Sequence, residues 1–227
     1  MPPPEGSYRG PYRGLLLDIG GVVHRTSMHL AGRLAETEPA LRPVLERIGG
    51  LGTDRDKLWQ RMLGRQLSER DYWATRAAEF GAAVGESWDT RTLINKLYDR
   101  PERDYLSVPT IDLMNDVKAA GLPLGALTND LAAFHGPGWV ERQEHLKLFD
   151  VIVDASLTGV LKPDPRAFAS GAEALGLPAD QIVFLDDMPG NVEGALAAGL
   201  RAVRVPWDDP TPAIDTAREL LGLGPAQ

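Results

Sequence analysis

Short apolar runs that end in polar or turn residues recur along this chain. The first, Leu15 to Leu17, is followed by Asp18 and then by two glycines. Continuous apolar runs bounded in this way are typical of strands that are buried on both faces of a parallel sheet. Four later runs have the same character and lie at residues 122–127, 151–153, 182–185 and 202–205.

Helical periodicity occupies the intervals between these runs. Apolar residues recur at helical spacing over Thr110–Ala120, and the segment from Asp164 to Leu175 has Pro165 at its first helical position. Further helices are predicted over residues 139–146, after the run at 182–185 up to residue 198, and from residue 211 onward. Because strands and helices alternate, we predict an α/β fold with a doubly wound, mostly parallel, Rossmann-like sheet.

The segment between the first and second strands differs from the rest. Residues 27–100 contain no comparable buried run, but they show helical stretches at 55–67 and 68–80. We therefore predict an inserted helical cap subdomain over 27–100. The catalytic core would comprise residues 11–26 and 101–222, and the Pro- and Gly-rich termini, 1–10 and 223–227, would be flexible.

Composition narrows the classes of partner. The chain has 227 residues, 43% of them hydrophobic, and a net charge of −8 without a Lys/Arg block, which argues against nucleic acid as a partner. No apolar stretch is long enough for a membrane span, and the N-terminus does not resemble a secretory signal. The absence of cysteine fits a reducing environment. We expect a cytoplasmic protein that is a monomer or a homodimer.

Polar residues stand at the ends of three of the predicted strands. They are Asp18, the pair Thr128-Asn129 and the pair Asp186-Asp187. Ligands of open parallel sheets bind at the carboxyl ends of the strands, so we expect these side chains to converge. Clustered carboxylates need a compensating cation, and carboxylate oxygens are the ligands that Mg²⁺ prefers. The pattern predicts a magnesium site.

Four segments, in order along the chain, resemble the signature segments of the haloacid dehalogenase superfamily. They read Leu-Leu-Leu-Asp-Ile-Gly-Gly-Val-Val at 15–23, Leu-Thr-Asn-Asp at 127–130, Gly-Val-Leu-Lys-Pro-Asp-Pro at 159–165 and Phe-Leu-Asp-Asp-Met-Pro-Gly-Asn-Val at 184–192. The third and fourth segments are most similar to those of the phosphatase domain of bifunctional epoxide hydrolases. The insert between the first and second segments corresponds to the helical cap of the family.

This resemblance implies a role for each matched residue. Asp18 would be the nucleophile that forms an aspartyl-phosphate, and Thr128, Asn129 and Lys162 would bind the transferring phosphoryl group. Lys162 would also neutralise charge on Asp18. The residues implied at the Mg²⁺ site are Asp18, the carbonyl of Gly20, Asp187 and Asp186, the last through water, with Asn191 supporting their loop. The substrate would be a small phosphorylated metabolite that the cap encloses.

Gly20 departs from the pattern of the family's phosphatases, which usually have a general acid–base Asp at this position. Loss of such a group costs about 10²–10⁴-fold in rate. Three hypotheses follow: a phosphatase or phosphotransferase that acts on a reactive substrate or has a substitute acid, a 2-haloacid dehalogenase-type hydrolase, and a catalytically degenerate binding protein. His24 is a candidate substitute acid, since its ordinary pKa suits that role. His135, which follows the second segment, is considered for the same role.

Overall fold

The computed structural model describes residues 11–224, with the side chain of Met28 excepted. Five parallel strands form one sheet in the order β3-β2-β1-β4-β5. This arrangement confirms the predicted α/β fold with a parallel sheet. The strands are β1 Gly14–Leu17, β2 Leu124–Thr128, β3 Val151–Asp154, β4 Ile182–Asp186 and β5 Arg201–Arg204.

Helices connect the strands and also form the insert after β1. Short 3₁₀ turns lie at Pro39–Leu41, Glu102–Asp104, His145–Leu148 and Ala179–Gln181. In chain order, the α-helices of residues 11–224 are α1 Ser27–Thr37, α2 Arg42–Ile48, α3 Lys57–Leu63, α4 Glu69–Ala83, α5 Thr90–Tyr98, α6 Val108–Ala119, α7 Leu131–His135, α8 Pro137–Val140, α9 Ala155–Thr158, α10 Pro165–Leu175, α11 Pro189–Ala197 and α12 Thr211–Leu220.

The central strand, β1, sets the layers of the core. Successive side chains of a strand point to opposite faces of the sheet. Leu15 and Leu17 accordingly belong to an apolar cluster with residues of α6 and α12, whereas Leu16 belongs to a second cluster with residues of α10. All three leucines are fully buried, which explains why the run is continuous rather than alternating.

The order of the strands determines where a site can form. β1 pairs with β2 on one side and with β4 on the other, so the chain changes direction across the sheet between β1 and β4. The carboxyl ends of these three strands lie side by side. Open α/β sheets bind their ligands at such a point.

The chain divides into two compact units. Within the described residues, one consists of 11–24, 106–132 and 137–224 and holds the sheet. The other consists of Arg25–Tyr105 and Ala133–Gly136, and its long elements are α1 to α5. The predicted insert at 27–100 falls inside this helical unit. Its function as a cap stays a prediction, and the segment 133–136 was not foreseen as part of it.

One predicted helix is wrong. Residues 139–146 do not form a continuous helix, because α8 ends at Val140 and a 3₁₀ turn follows only at His145–Leu148. The side-chain amide of Gln143 donates to the carbonyl of Trp139 at 2.9 Å. That carbonyl is the acceptor that the backbone N–H of residue 143 would use in a continuing helix, so the side chain competes with the helical bond.

The remaining expectations concern the termini and membranes. Residues 1–10 and 225–227, which we predicted to be flexible, lie outside the described residues. Leu223 belonged to the same prediction, but it packs against the core cluster of β1. Across residues 11–224, every helix falls short of the length and apolar character that crossing a membrane requires.

Candidate active site

Asp18 directly follows the central strand. Its backbone N–H continues the pairing with β4 by donating to the carbonyl of Leu185 at 2.9 Å. This hydrogen bond fixes the position of Asp18 at the carboxyl end of the sheet. Its Oδ1 accepts from the backbone N–H of Ile19 at 2.7 Å. The side chain is 13% exposed. Asp18 is therefore held at the carboxyl end of the sheet, and its side chain is partly exposed to solvent.

Asp186 is the last residue of β4 and is buried completely. Its Oδ1 accepts from the backbone N–H of Met188 at 2.9 Å, and the amide of Asn191 donates to both carboxylate oxygens at 3.1 Å. Asn191 lies in the first turn of α11, so this helix and the loop before it are tied to the end of β4. The contact is the one expected of a residue that supports the loop.

Lys162 places its ammonium between two carboxylates. Its Nζ lies 2.7 Å from Oδ2 of Asp186 and 3.1 Å from Oδ1 of Asp18, and its side chain is fully buried. The side chain of Asn129 holds the backbone of Lys162, because Oδ1 accepts from the lysine N–H at 2.8 Å and Nδ2 donates to its carbonyl at 3.1 Å. We had expected Asn129 only to bind the phosphoryl group, so its hold on Lys162 was not predicted.

Three carboxylates share the site. Each of Asp18, Asp186 and Asp187 offers an oxygen, and these oxygens lie within 4.8 Å of one another. Two of the carboxylates, Asp18 and Asp186, face the ammonium of Lys162, which balances only one of their two charges and leaves an excess of negative charge. An all-oxygen donor set and this excess fit a hard divalent cation such as Mg²⁺. Since protein donors already occupy both oxygens of Asp186, Asp18 and Asp187 are the better direct ligands.

The protonation of this cluster is perturbed in the metal-free protein. Burial raises the pKa of Asp18 to about 7, opposed by the ammonium of Lys162 and assisted by the charge of Asp186. Burial alone would lower the pKa of Lys162, but the two carboxylates beside it raise the pKa above its ordinary value. The lysine is thus a permanent cation, whereas the charge of Asp18 is lost near neutral pH.

Thr128 and Gly20 complete the predicted set. Thr128 is the buried last residue of β2, in register with Asp154 of β3, one strand away from Asp18. Gly20 lies two residues after Asp18 in an irregular turn, with φ −67° and ψ 131°. A Cβ built at Gly20 meets no atom within 4 Å. Nothing in the backbone or packing therefore requires glycine at this position.

Gly21 differs from Gly20 both in its backbone conformation and in the space around it. Its φ of +73° is a conformation that residues with side chains rarely adopt, and a Cβ there would lie 2.2 Å from Oδ2 of Asp187. The glycine allows the carboxylate to approach the turn after β1. Gly21 is a residue of the site that we had quoted in the first segment without giving it a role.

Trp207 was not predicted from the sequence. Its indole Nε1 donates to Oδ2 of Asp187 at 3.0 Å. It lies three residues after β5, a strand for which we had predicted no polar contribution to the site. The only signal was a tryptophan in a polar loop after a strand of the same sheet.

The two histidines that we had singled out lie elsewhere. His24 is buried, and its Nε2 lies 2.8 Å from Nε2 of His145, while its ring meets Trp139 edge to face. This packing argues against His24 as the substitute acid, since its exposed fraction is 1%. His135 is buried in the helical unit, where its ring meets Tyr98 edge to face at 4.8 Å.

The fold and the cluster together define a class of hydrolase with an acidic site at the topological switch of a parallel sheet. The sequence model of the haloacid dehalogenase-like hydrolases matches residues 12–199. The chain belongs to this family, which confirms the resemblance of the four segments. The finer resemblance to the phosphatase domain of bifunctional epoxide hydrolases stays a prediction.

Individual relatives match at moderate identity. A phosphatase of Mycobacterium tuberculosis is 34% identical over 111 residues, which are 49% of this chain and 51% of that protein. The phosphoglycolate phosphatase of Shigella dysenteriae is 28% identical over 205 residues, covering 84% of this chain and 80% of that enzyme. Relatives above 30% identity are thus matched over no more than about half of their length.

A solved structure shows that the fold alone does not choose between reactions. The crystal structure of an L-2-haloacid dehalogenase aligns with a TM-score of 0.58 at 19% identity, covering 91% of this chain and 99% of the dehalogenase. At this identity the likeness extends to the fold only. The reaction has to be argued from the side chains of the site.

Proposed function

We propose that this protein is a Mg²⁺-dependent phosphatase or phosphotransferase that acts on a small phosphorylated metabolite through an aspartyl-phosphate on Asp18. The observation that carries the proposal is the convergence of the carboxylates of Asp18, Asp186 and Asp187, two of which face the ammonium of Lys162. Burying an uncompensated negative charge is costly, so such a cluster favours a divalent cation and a reaction that uses it. A dehalogenase that works without metal would not need three clustered carboxylates.

Exposure distinguishes Asp18 from Asp186 as the nucleophile. Asp186 has no exposed side-chain surface, whereas the side chain of Asp18 is 13% exposed. A substrate phosphorus can therefore be reached by Asp18 and not by Asp186. Attack would form a bond between a carboxylate oxygen of Asp18 and phosphorus as the ester oxygen departs, and a water would later hydrolyse the acyl phosphate.

The other residues would stabilise charge and hold positions. The ammonium of Lys162 would face both Asp18 and the oxygens of the phosphoryl group, which carry the spread negative charge of the transition state. Asn129 would keep that lysine in place through its two backbone contacts, with the hydroxyl of Thr128 and the N–H of Asn129 as donors to the phosphoryl group. When bound by Asp18, Asp187 and the Gly20 carbonyl, Mg²⁺ would neutralise the same oxygens.

Gly20 shapes the substrate range that we propose. Without a carboxyl group at this position, the chain lacks the residue that would protonate a leaving alkoxide. Aryl and acyl phosphates have leaving groups that depart without an acid, so these activated esters should react fastest. The buried position of His24 gives no support for a substitute.

A direct test compares hydrolysis of an aryl phosphate in Mg²⁺ and in chelator, with Asp18→Asn and the exposed-residue control Asp180→Asn. We expect turnover only with Mg²⁺, and a loss of at least about 10³-fold in Asp18→Asn, because removal of a nucleophile leaves only binding and electrostatic effects. Asp180→Asn should behave like the wild type. If Asp18→Asn hydrolyses the ester at the wild-type rate, the proposal is wrong.

The same samples test the alternative reaction. Halide release from a 2-haloacid in the presence of chelator, abolished by Asp18→Asn, would replace our proposal with a dehalogenase. Absence of both activities, together with unaltered binding of phosphate esters by Asp18→Asn, would favour a binding protein.

Gly20→Asp tests the missing acid. Position 20 has room for a side chain and an ordinary backbone conformation, so the variant should fold. We expect turnover of alkyl phosphates to rise by about 10²-fold or more, as general acid–base catalysis provides, with a smaller gain on aryl phosphates. Gly20→Asn is the matched control, since its amide cannot supply the proton. An equal gain in both variants would contradict this role.

A further inference from the structure

We propose that Trp207 is a positioning residue that holds the metal ligand Asp187 in its binding orientation. The inference rests on the proposed Mg²⁺ site and assigns a further strand end to it. The three strands that carry the signature residues are β1, β2 and β4. The structure adds β5 through the loop that follows it.

The end of β5 leads the chain back to the acidic loop. Arg204, the last residue of β5, is in register with Asp186, and the N–H of Val205 donates to the carbonyl of Asp186 at 3.0 Å. Three residues beyond Arg204, the indole Nε1 of Trp207 donates to Oδ2 of Asp187 at 3.0 Å. The loop is thus anchored at the strand before it contacts the carboxylate.

The same oxygen of Asp187 is confined from a second direction. A Cβ on Gly21 would lie 2.2 Å from Oδ2, so only the missing side chain of this glycine leaves room for the carboxylate. Asp187 is itself 9% exposed. The turn after β1 and the indole after β5 together fix one oxygen of a buried carboxylate.

The indole is held in turn by Arg204. The guanidinium carbon lies 5.0 Å from the centre of the Trp207 ring, a distance at which a cation is attracted by an aromatic face. A donor to a ligating carboxylate fixes its orientation, and loss of such a donor typically weakens metal affinity by about 10–100-fold. Trp207 would therefore act on the affinity for Mg²⁺ without touching the metal or the substrate.

Trp88 in the helical unit offers a matched control. Its Nε1 donates to Oε2 of Glu86 at 2.6 Å, and the ammonium of Lys96 lies 4.7 Å from its ring centre. It is thus a second indole with a carboxylate acceptor and a cation over its face. Its acceptor does not belong to the acidic cluster.

The experiment measures the rise in melting temperature of the protein during titration with Mg²⁺ alone, without substrate. For Trp207→Phe we expect the Mg²⁺ concentration at half-saturation to rise about 10-fold, while the metal-free melting temperature stays within a few degrees of the wild type. Trp88→Phe should keep the wild-type midpoint. Wild-type Mg²⁺ affinity in Trp207→Phe would overturn the inference.

A second measurement does not depend on the folding of that variant. In the ¹⁵N-labelled wild-type protein, an indole N–H signal should shift in step with Mg²⁺ saturation, and Trp88→Phe should retain it. Failure of every indole signal to move would also overturn the inference. Asp187→Asn separates the two proposals. If Mg²⁺ changes the melting temperature of neither the wild type nor this variant, the proposed function is refuted. If Mg²⁺ stabilises the wild type and Trp207→Phe equally well, only the role of Trp207 is refuted.

Discussion

Each unit contains a buried ionic cluster, and the two clusters differ in how their charges are compensated. In the helical unit, Asp56 is fully buried and accepts from the backbone N–H groups of Leu58 and Trp59 at 3.0 and 3.1 Å and from the hydroxyl of Tyr72 at 2.9 Å. Arg76 pairs with Asp56 and also with Glu79, whose side chain is 30% exposed. Every charge has a partner, and the one remaining negative group reaches solvent.

The acidic cluster of the sheet-bearing unit has no such balance. The ammonium of Lys162 faces both Asp18 and Asp186, and Asp187 accepts from the neutral indole of Trp207. The ammonium balances only one of the charges of Asp18 and Asp186, so the other requires an added cation or a proton. A buried cluster whose charges are paired indicates structure, whereas one with uncompensated negative charge indicates a site for a ligand.

Lys162→Met should have the largest effect, because it leaves Asp18 and Asp186 without their ammonium. We expect no measurable turnover and a loss of about 3–5 kcal/mol in the free energy of unfolding at pH 8. The loss should shrink at pH 5.5, where the carboxyl groups can be protonated, and in saturating Mg²⁺. Urea unfolding at both pH values, with and without Mg²⁺, measures this.

Lys147→Met is the control, since this exposed lysine pairs with Glu144 at 2.6 Å on the surface. Surface pairs contribute about 0–1 kcal/mol. A loss in Lys162→Met that is the same at both pH values and indifferent to Mg²⁺ would mean that the two clusters do not differ as we argue.

Arg76→Met should destabilise the protein by a similar amount, about 3–5 kcal/mol, because Asp56 would be left as an uncompensated buried charge. Here the loss should not depend on Mg²⁺, and the Mg²⁺ midpoint of the variant should equal that of the wild type. Arg166→Met, at an exposed pair with Asp164, is the matched arginine control. A shifted Mg²⁺ midpoint in Arg76→Met would couple the two clusters and contradict the comparison.

Two adjacent glycines allow a finer test of the acidic cluster. Gly21→Ala would strain a backbone of φ +73° and push a Cβ against Asp187, so we expect a loss of about 1–2 kcal/mol in stability and about 10-fold or more in Mg²⁺ affinity. Gly20→Ala should leave both unchanged, since its position is open. Melting temperatures during Mg²⁺ titration distinguish them, and equal behaviour of the two variants would show that the close approach of Asp187 is unimportant.

The sequence predicted the elements whose signals are local. The run Leu15–Leu17 and the turn residues after it identify β1, and Pro165 and Gly176 mark the ends of α10, whose C-cap Gly176 has φ +71°. Parallel strands then bring their carboxyl ends together, which is why Asp18 and Asp186 were expected to meet. These predictions needed only periodicity and topology.

Contacts between residues far apart along the chain could not be predicted in this way. Asn129 holds Lys162 from 33 residues away, and His24 meets His145 across 121 residues. Trp207 reaches Asp187 only through the path of a loop after β5. Each contact depends on side-chain geometry at a place where periodicity gives no information.

Asp18→Asn should change stability in a direction that depends on pH and on Mg²⁺. Burial raises the pKa of Asp18 from 3.8 to about 7 in the folded, metal-free protein. Between these values the folded state retains a proton that the unfolded state has lost, so stability falls as the pH rises through this window and stays lower above it. The neutral amide of the variant avoids this penalty, and Asp186 still pairs with Lys162 at 2.7 Å.

We therefore expect metal-free Asp18→Asn to be more stable than the wild type at pH 8, by up to about 4 kcal/mol because each unit of raised pKa costs about 1.4 kcal/mol, and equally stable near pH 4. Saturating Mg²⁺ should reverse the order at pH 8, because the cation binds the ionised carboxylate of the wild type and not the amide. Thermal unfolding across this pH range measures both effects. A variant that is less stable than the metal-free wild type at pH 8 would show that Lys162 compensates the cluster fully, and the charge imbalance that separates the two clusters would then be absent.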